Sequence, residues 1–338
     1  MKKTTTLVLA ALLTAGLITC ASAATPKTGA AAGAALIKML PKTANGVIAI
    51  NVQQLMTSEG ATKALQDPKN KEKLAEFVKM SGIDPTKDIY YAGAGLIGEP
   101  TGTAQGAVIL TLKYDKAKLQ ALIKEKAPEA KEELYKGVTL FSNLDGAKAH
   151  QTTLAAFLDA THIVAGTEAG VKGIIDVAKK KAEPLAKNPA MMTLLNRADK
   201  AGMVWGAIAV PQDLLQKAMA SNPQFKMLEG VTGLILSFNE KLDGIGIDLK
   251  TIGGTKEQNT SLAQTVNGFR ALGAMAGDKE PLVGQLLNGV AITSGADYTE
   301  VAINIPRDVL DKLGEMAKSK AGQFMMKPKK DAAPEVKK

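Results

Sequence analysis

The sequence predicts an α+β fold made of two similar halves, each a mixed or antiparallel sheet with amphipathic helices packed on one face. Three observations predict it. Short β-branched runs bounded by Gly, Asn or Asp turns recur along the chain. Between them lie segments whose apolar residues keep i, i+3, i+4 spacing, the mark of a helix with one face to bury. One strand-into-helix grammar also repeats: Val47-Ile-Ala-Ile-Asn-Val-Gln-Gln-Leu55, Ala207-Ile-Ala-Val-Pro-Gln-Asp-Leu-Leu215 and Val301-Ala-Ile-Asn-Ile-Pro-Arg-Asp-Val-Leu310. In the last two the join is Pro-x-Asp, where Pro presets φ for the helix and Asp meets the positive end of its dipole. A looser fourth copy starts at Val108. The spacing between copies is irregular, which excludes a solenoid and fits a duplication with units at 37–200 and 201–317.

Taken in order, the strands are expected at 46–52, 88–96, 105–113, 135–142, 153–158, 162–166, 203–210, 231–239, 243–250, 290–294 and 298–305. The segment from Phe238 to Gly244 has the composition of a hairpin turn. Helices are expected at 69–81 through Leu74, Phe77 and Val78, and at 115–126 through Leu119, Leu122 and Ile123. Three more follow: 168–181 through Val171, Ile174, Ile175 and Ala178; 256–276 through Leu262, Val266, Phe269 and Gly273; and 307–317 through Val309, Leu310, Leu313 and Met316. Asp115 and Thr167 stand where N-caps belong.

Of 338 residues, 46% are hydrophobic and 22% charged. A chain of that composition buries a real core and is neither disordered nor collagen-like. One cysteine, Cys20, and two histidines exclude a disulfide framework, a Cys-based zinc site and an iron–sulfur protein. Met1 to Ala23 reads as a secretory signal peptide: Lys2 and Lys3, the apolar stretch Leu7 to Ile18, then Ala21-Ser22-Ala23 as the cleavage site. The implied location is periplasmic or secreted. Leu17-Ile-Thr-Cys20 offers the alternative of a lipidated Cys20, although Thr19 departs from the small residue that pattern wants. No other run approaches the ~20 apolar residues of a membrane helix, so no transmembrane helix is expected in the mature chain. Residues 24–36 are Ala/Gly-rich and read as a flexible lead-in.

The formal charge of +9 is uneven. Residues 318–338 carry seven lysines (318, 320, 327, 329, 330, 337, 338) against Asp331 and Glu335. They read as a basic disordered tail, able to meet an anionic membrane surface. Nucleic acid is not expected as a partner. The body is nearly neutral, aromatics are 4%, and only Arg197, Arg270 and Arg307 supply guanidinium groups.

Leu40-Pro-Lys-Thr-Ala-Asn-Gly-Val-Ile-Ala-Ile-Asn-Val-Gln-Gln-Leu55 and Gly82-Ile-Asp-Pro-Thr-Lys-Asp-Ile89 resemble segments of secreted bacterial proteins whose domains have no assigned function. The resemblance covers about 50 residues and implies an exported α+β protein; it transfers no catalytic residue.

Candidate sites are few. Gly93-Ala-Gly-Leu-Ile-Gly98 matches G-x-G-x-x-G, but a turn and another strand follow where pyrophosphate binding requires a helix N-terminus. The motif is therefore read as a Gly-rich strand end that permits close packing. His150 and His162, 12 residues apart and without cysteine neighbours, are read as exposed or structural. Trp205 is read as a core or edge aromatic. Met191-Met192 and Met325-Met326 are noted as soft apolar pairs. No H-E-x-x-H, G-x-S-x-G or P-loop occurs. No cofactor or metal is expected, and no catalytic or binding residue is nominated. The resulting expectation is a non-enzymatic exported envelope protein that binds another envelope protein, a lipid-like ligand or the membrane surface. The alternative is an exported hydrolase with a site assembled from scattered residues.

Overall fold

The computed structural model describes residues 29–98, 105–144, 153–277 and 281–325. The chain opens with helix α1 (Gly29–Met39), whose Ala32, Gly33, Leu36 and Ile37 are buried on one face. This corrects the expected flexible lead-in over residues 29–36. Alanine is the best helix former, and the two leucine-sized side chains give the segment something to bury.

Strand β1 (Ala44–Asn51) runs straight into α2 (Val52–Thr57), because the Asn51 side chain accepts from the Gln54 N–H and caps the turn. Ser58 caps α3 (Glu59–Gln66) and Asp67 caps α4 (Pro68–Ser81), which stops at Gly82 in the left-handed conformation, φ 79°. A single turn, α5 (Pro85–Asp88), leads to the hairpin β2 (Ile89–Ile97) and β3 (Gln105–Leu112). Then come α6 (Lys116–Lys126), capped by Asp115, and the strands β4 (Lys131–Tyr135), β5 (Val138–Ser142), β6 (Thr153–Phe157) and β7 (His162–Thr167). Thr167 caps α7 (Glu168–Ala178), and Asn188 caps α8 (Pro189–Leu195).

The second half has β8 (Val204–Ala209), α9 (Gln212–Ser221) and the long hairpin β9 (Val231–Lys241) and β10 (Gly244–Gly253). The chain continues with α10 (Lys256–Gly277), α11 (Pro281–Asn288), β11 (Val290–Ser294), β12 (Tyr298–Pro306) and α12 (Arg307–Met325).

The α+β class holds. In place of one sheet per half, however, the described residues form a single twelve-stranded sheet in the order β11-β12-β10-β9-β8-β1-β2-β3-β7-β6-β5-β4. Every neighbouring pair is antiparallel. The halves join where β1 pairs with β8, Ile48 opposite Gly206. Helices lie on both faces rather than one. On the first face α1, α7 and α8 cover a core containing Leu36, Leu40, Ile109, Val164, Ile174, Leu195 and Trp205. On the second face, Val52 from α2 and Leu119 from α6 pack with Ile83, Ile89, Leu110, Leu112, Tyr114 and Ile163.

Two expected elements change. The single strand at 135–142 is a hairpin, because Lys136 and Gly137 both take positive φ (50° and 80°) and fold the chain back onto the charged strand β4. The tail expected to be disordered from residue 318 starts as helix, since α12 continues to Met325; residues 326–338 lie outside the described residues. So do the signal sequence, Cys20 and His150.

Candidate interaction surface

The residues singled out by sequence do not converge. In the Gly93–Gly98 motif, the space a side chain would need is filled by Leu36 at Gly93 and by Leu40 at Gly95. The glycines let α1 lie directly on β2. His162 opens β7, and its Nδ1 lies 2.8 Å from the Asp159 carboxylate. Tyr114 donates its hydroxyl to the Asp159 backbone carbonyl. Burial opposes ionisation of Asp159, but hydrogen bonds from His162 and Thr161 outweigh it and hold the carboxyl below its ordinary range. Trp205 is fully buried in β8 and donates its indole N–H to the Tyr91 hydroxyl across the join of the halves. Burial pushes the Tyr91 phenol up to about 12. Met191 is buried in α8. Among the described residues, no three His, Cys, Asp or Glu side chains gather into a metal-binding group.

What the structure does bring together is apolar surface that remains open. In an antiparallel sheet, residues directly opposite each other share a face. The registers therefore place Ile48, Gly206, Leu236, Leu249, Val301 and Ile292 in one row across six strands. The adjacent row runs Leu96, Gly46, Ile208 and Leu234. Ile48, Leu96, Ile208 and Leu249 are each 43% exposed. Leu96 and Ile208 lean over Gly46: a Cβ there would meet them at 3.1 and 3.4 Å. This is a continuous aliphatic strip on the second sheet face, between the cluster under α2 and α6 and the helices of the second half. From β2 to β10 it spans about 19 Å at the usual strand spacing.

One end of the strip runs into a groove of about 760 Å3 between α3 and α12, whose floor includes Met203, Phe238 and Ile245. Phe238 lies two residues from Leu236 on the same face of β9. Ion pairs tie the walls together. Arg307 lies 3.2 Å from both Glu59 and Glu240, and Lys63 lies 2.9 Å from Glu59 and 3.0 Å from Asp311. Glu59, Glu240 and Asp311 are thus engaged by cations, above an apolar floor.

A second open surface belongs to the helices. Phe269, Leu272 and Met275 on α10 are 58%, 65% and 72% exposed, and Val283 on α11 is 39% exposed. The expected buried face of 256–276 is therefore right for Leu262 and wrong for Phe269; the expected face of α12 likewise leaves Met316 exposed. Helical periodicity identifies an apolar stripe but not whether anything lies against it. A signal for the open strip was nevertheless present. β1, β9 and β10 carry aliphatic residues on both faces (Val47 and Ile48, Ile235 and Leu236), which demands cover on both sides.

No known family matches the chain, and no curated protein does. Among solved structures, the chain is similar to crystal form III of TP0453 (TM-score 0.47, 10% identity, covering 85% of this chain and 97% of that one). It is also similar to crystal form I of TP0453 (TM-score 0.46, 9% identity, covering 86% and 99%).

Proposed function

We propose that the protein is an exported envelope protein that binds a lipid-like ligand along the open sheet face, without catalysing a reaction. The observation that carries this reading is the strip of Leu96, Ile48, Ile208, Leu236 and Leu249, which continues into the groove floored by Met203, Phe238 and Ile245. An extended apolar strip of this kind on a soluble fold is costly to leave in water and fits an elongated apolar chain. Export rests on the leader: Lys2 and Lys3, the apolar stretch from Leu7 and the Ala21-Ser22-Ala23 site. The lysines of 318–338 would add attraction to an anionic membrane surface, where such a ligand resides. No helix among the described residues is long and apolar enough to cross a membrane.

A duplicated α+β unit accounts for the arrangement. Outward from the β1–β8 join, each half presents a strand, then a hairpin (β2-β3 or β9-β10), then the half's last strand (β7 or β12) beside that hairpin.

The test is titration of the mature protein with palmitoyl lysophospholipid, read by displacement of an environment-sensitive apolar dye. Wild type binds in this reading, and Ile208→Glu and Leu249→Glu reduce binding at least ~10-fold without loss of fold, because both positions are already half exposed. Absence of binding by the wild type, or equal binding by the variants, overturns it.

A further inference from the structure

The groove at the end of the open strip has a charge bias of its own. Among the described residues it is lined by two cations, Lys63 and Arg307, and five carboxylates, Glu59, Asp67, Glu240, Asp311 and Glu315, which leaves a net charge of −3. The chain as a whole leans the other way, with 42 Lys and Arg against 33 Asp and Glu. A lining drawn from this composition would be basic, so the bias belongs to the local arrangement. Glu59, Lys63 and Asp67 follow one another at four-residue spacing along α3 and its C-cap, and Arg307, Asp311 and Glu315 do so along α12. Residues four apart share a helix face, so each of the two helices lines the groove with a row of charged side chains.

Neither cation is open to a further anion. Arg307 is shared between Glu59 and Glu240, and Lys63 between Glu59 and Asp311. The Arg307 side chain is 27% exposed, less than Glu59 at 45% and Asp311 at 55%. The Asp67 carboxylate accepts from the Lys69 N–H as the cap of α4, a neutral donor that leaves its charge uncompensated. Glu315 is exposed and forms no ion pair with another described residue. An anionic head entering the groove would displace a carboxylate from its cation and stand beside the others, and like charges so placed are penalised. An ammonium head meets no such penalty. It finds the uncompensated carboxylates on the walls and, in the floor, the ring of Phe238, a group whose face attracts cations.

We infer that the ligand of the open face is an amphiphile whose head carries an ammonium group and no net negative charge, its apolar chain on the aliphatic strip and its head in the groove. The inference rests on the reading of the strip as a lipid-binding face and adds the class of lipid. Zwitterionic heads that end in an ammonium are taken, and fatty acids and anionic phospholipids are refused. The discrimination has two parts, an attraction for the ammonium and a penalty against the anion. The affinity common to all such ligands comes from the apolar strip, which does not distinguish heads. Since the groove is open to solvent, salt should weaken the discrimination while leaving the apolar contribution in place.

The test compares two lipids with one chain and different heads, palmitoyl lysophosphatidylcholine and palmitoyl lysophosphatidylglycerol, titrated into the mature protein at low salt. The zwitterionic lipid should bind at least ~10-fold tighter, and the ratio should fall as salt rises to physiological strength. Glu315→Lys should narrow the ratio several-fold with unchanged circular dichroism, since that side chain is exposed and holds no ion pair among the described residues. Asp311→Lys should narrow it further, because it also frees Lys63 from one of its two carboxylates. Glu133→Lys on the distant strand β4 makes the same change in total charge and should leave the ratio as it is. Equal binding of the two lipids, or tighter binding of the anionic one, overturns the inference while the strip stands as a lipid site. A ratio that both groove variants leave intact overturns it too, because the head is then read elsewhere. Binding of neither lipid overturns the reading of the strip, and this inference with it.

Discussion

The two halves of the sheet carry equally apolar strands, yet cover them unequally. In β3 the consecutive residues Ile109 and Leu110 point to opposite faces and are 1% and 5% exposed, because α7 packs on one side and the cluster of α2 and α6 on the other. In β9 the equivalent neighbours, Ile235 and Leu236, differ: Ile235 is buried and Leu236 is not, and Leu249 opposite Leu236 is 43% exposed. Strand sequence therefore does not decide burial here; the supply of helices to the second face does. A half that leaves aliphatic side chains in water forgoes roughly 25 cal/mol for each Å2 it fails to bury. Such a deficit persists in a protein when the surface is used for something else.

The comparison can be broken by truncating one leucine in each half on the same sheet face. Leu112, in the first half, is fully buried, so Leu112→Ala should cost about 2–5 kcal/mol through lost transfer energy and the cavity left behind. Leu249→Ala in the second half should cost less than ~1 kcal/mol, since much of that side chain already meets water. Chemical denaturation of both variants reads the difference. Equal costs would mean that Leu249 is covered in solution, and the open strip would then not exist.

Most of the fold was legible because its punctuation is local. β7 ends where Thr167 accepts from the Gly170 N–H, and α6 starts where Asp115 accepts from the Lys118 N–H; both caps are visible as residue types in sequence. What was not legible is long-range. That β1 pairs with β8, fusing two expected sheets into one, depends on contacts across more than 150 positions, which no period or cap encodes. α1 was hidden for a compositional reason: an Ala/Gly-rich segment reads as a linker unless glycines such as Gly93 and Gly95 offer it a groove. The candidate surface was the least legible part, because exposure of Phe269 or Leu249 is a property of what fails to pack on them.

The join between the halves offers a sharper probe than either half. Tyr91 in β2 and Trp205 in β8 meet there, with Gly33 of α1 against both. A phenol whose folded pKa is about 12, against ~10 unfolded, keeps its proton longer in the native state. The folded chain then binds more protons than the unfolded chain between those values, so stability falls as pH rises from about 10 to 12. The two-unit difference corresponds to roughly 2–3 kcal/mol. Tyr91→Phe should be less stable at neutral pH, because it leaves the buried indole N–H unpaired, yet should lose this segment of the alkaline slope. Parallel slopes for the two proteins, followed by tryptophan fluorescence in denaturant, would show that the phenol is not held in the join.

The smallest effect is expected where the first half meets solvent, at the β6–β7 turn. There Asp159 is depressed below its ordinary pKa by His162 and Thr161 despite partial burial. The sign follows from proton counting. A carboxyl depressed in the folded state binds fewer protons there than in the unfolded chain, so its contribution is present above the unfolded value near ~3.9 and is lost as pH falls through the folded one. Half of the Asp159 side chain is exposed, so solvent screens the pair, and His162→Ala should cost no more than about 1 kcal/mol at pH near 5. The cost should shrink at a second, more acidic pH below the folded value, where Asp159 is protonated in both states. Denaturation midpoints of wild type and variant at the two pH values read this directly. A cost that stays constant with pH would assign His162 a packing role at the start of β7 and remove the ion pair from the account of that turn.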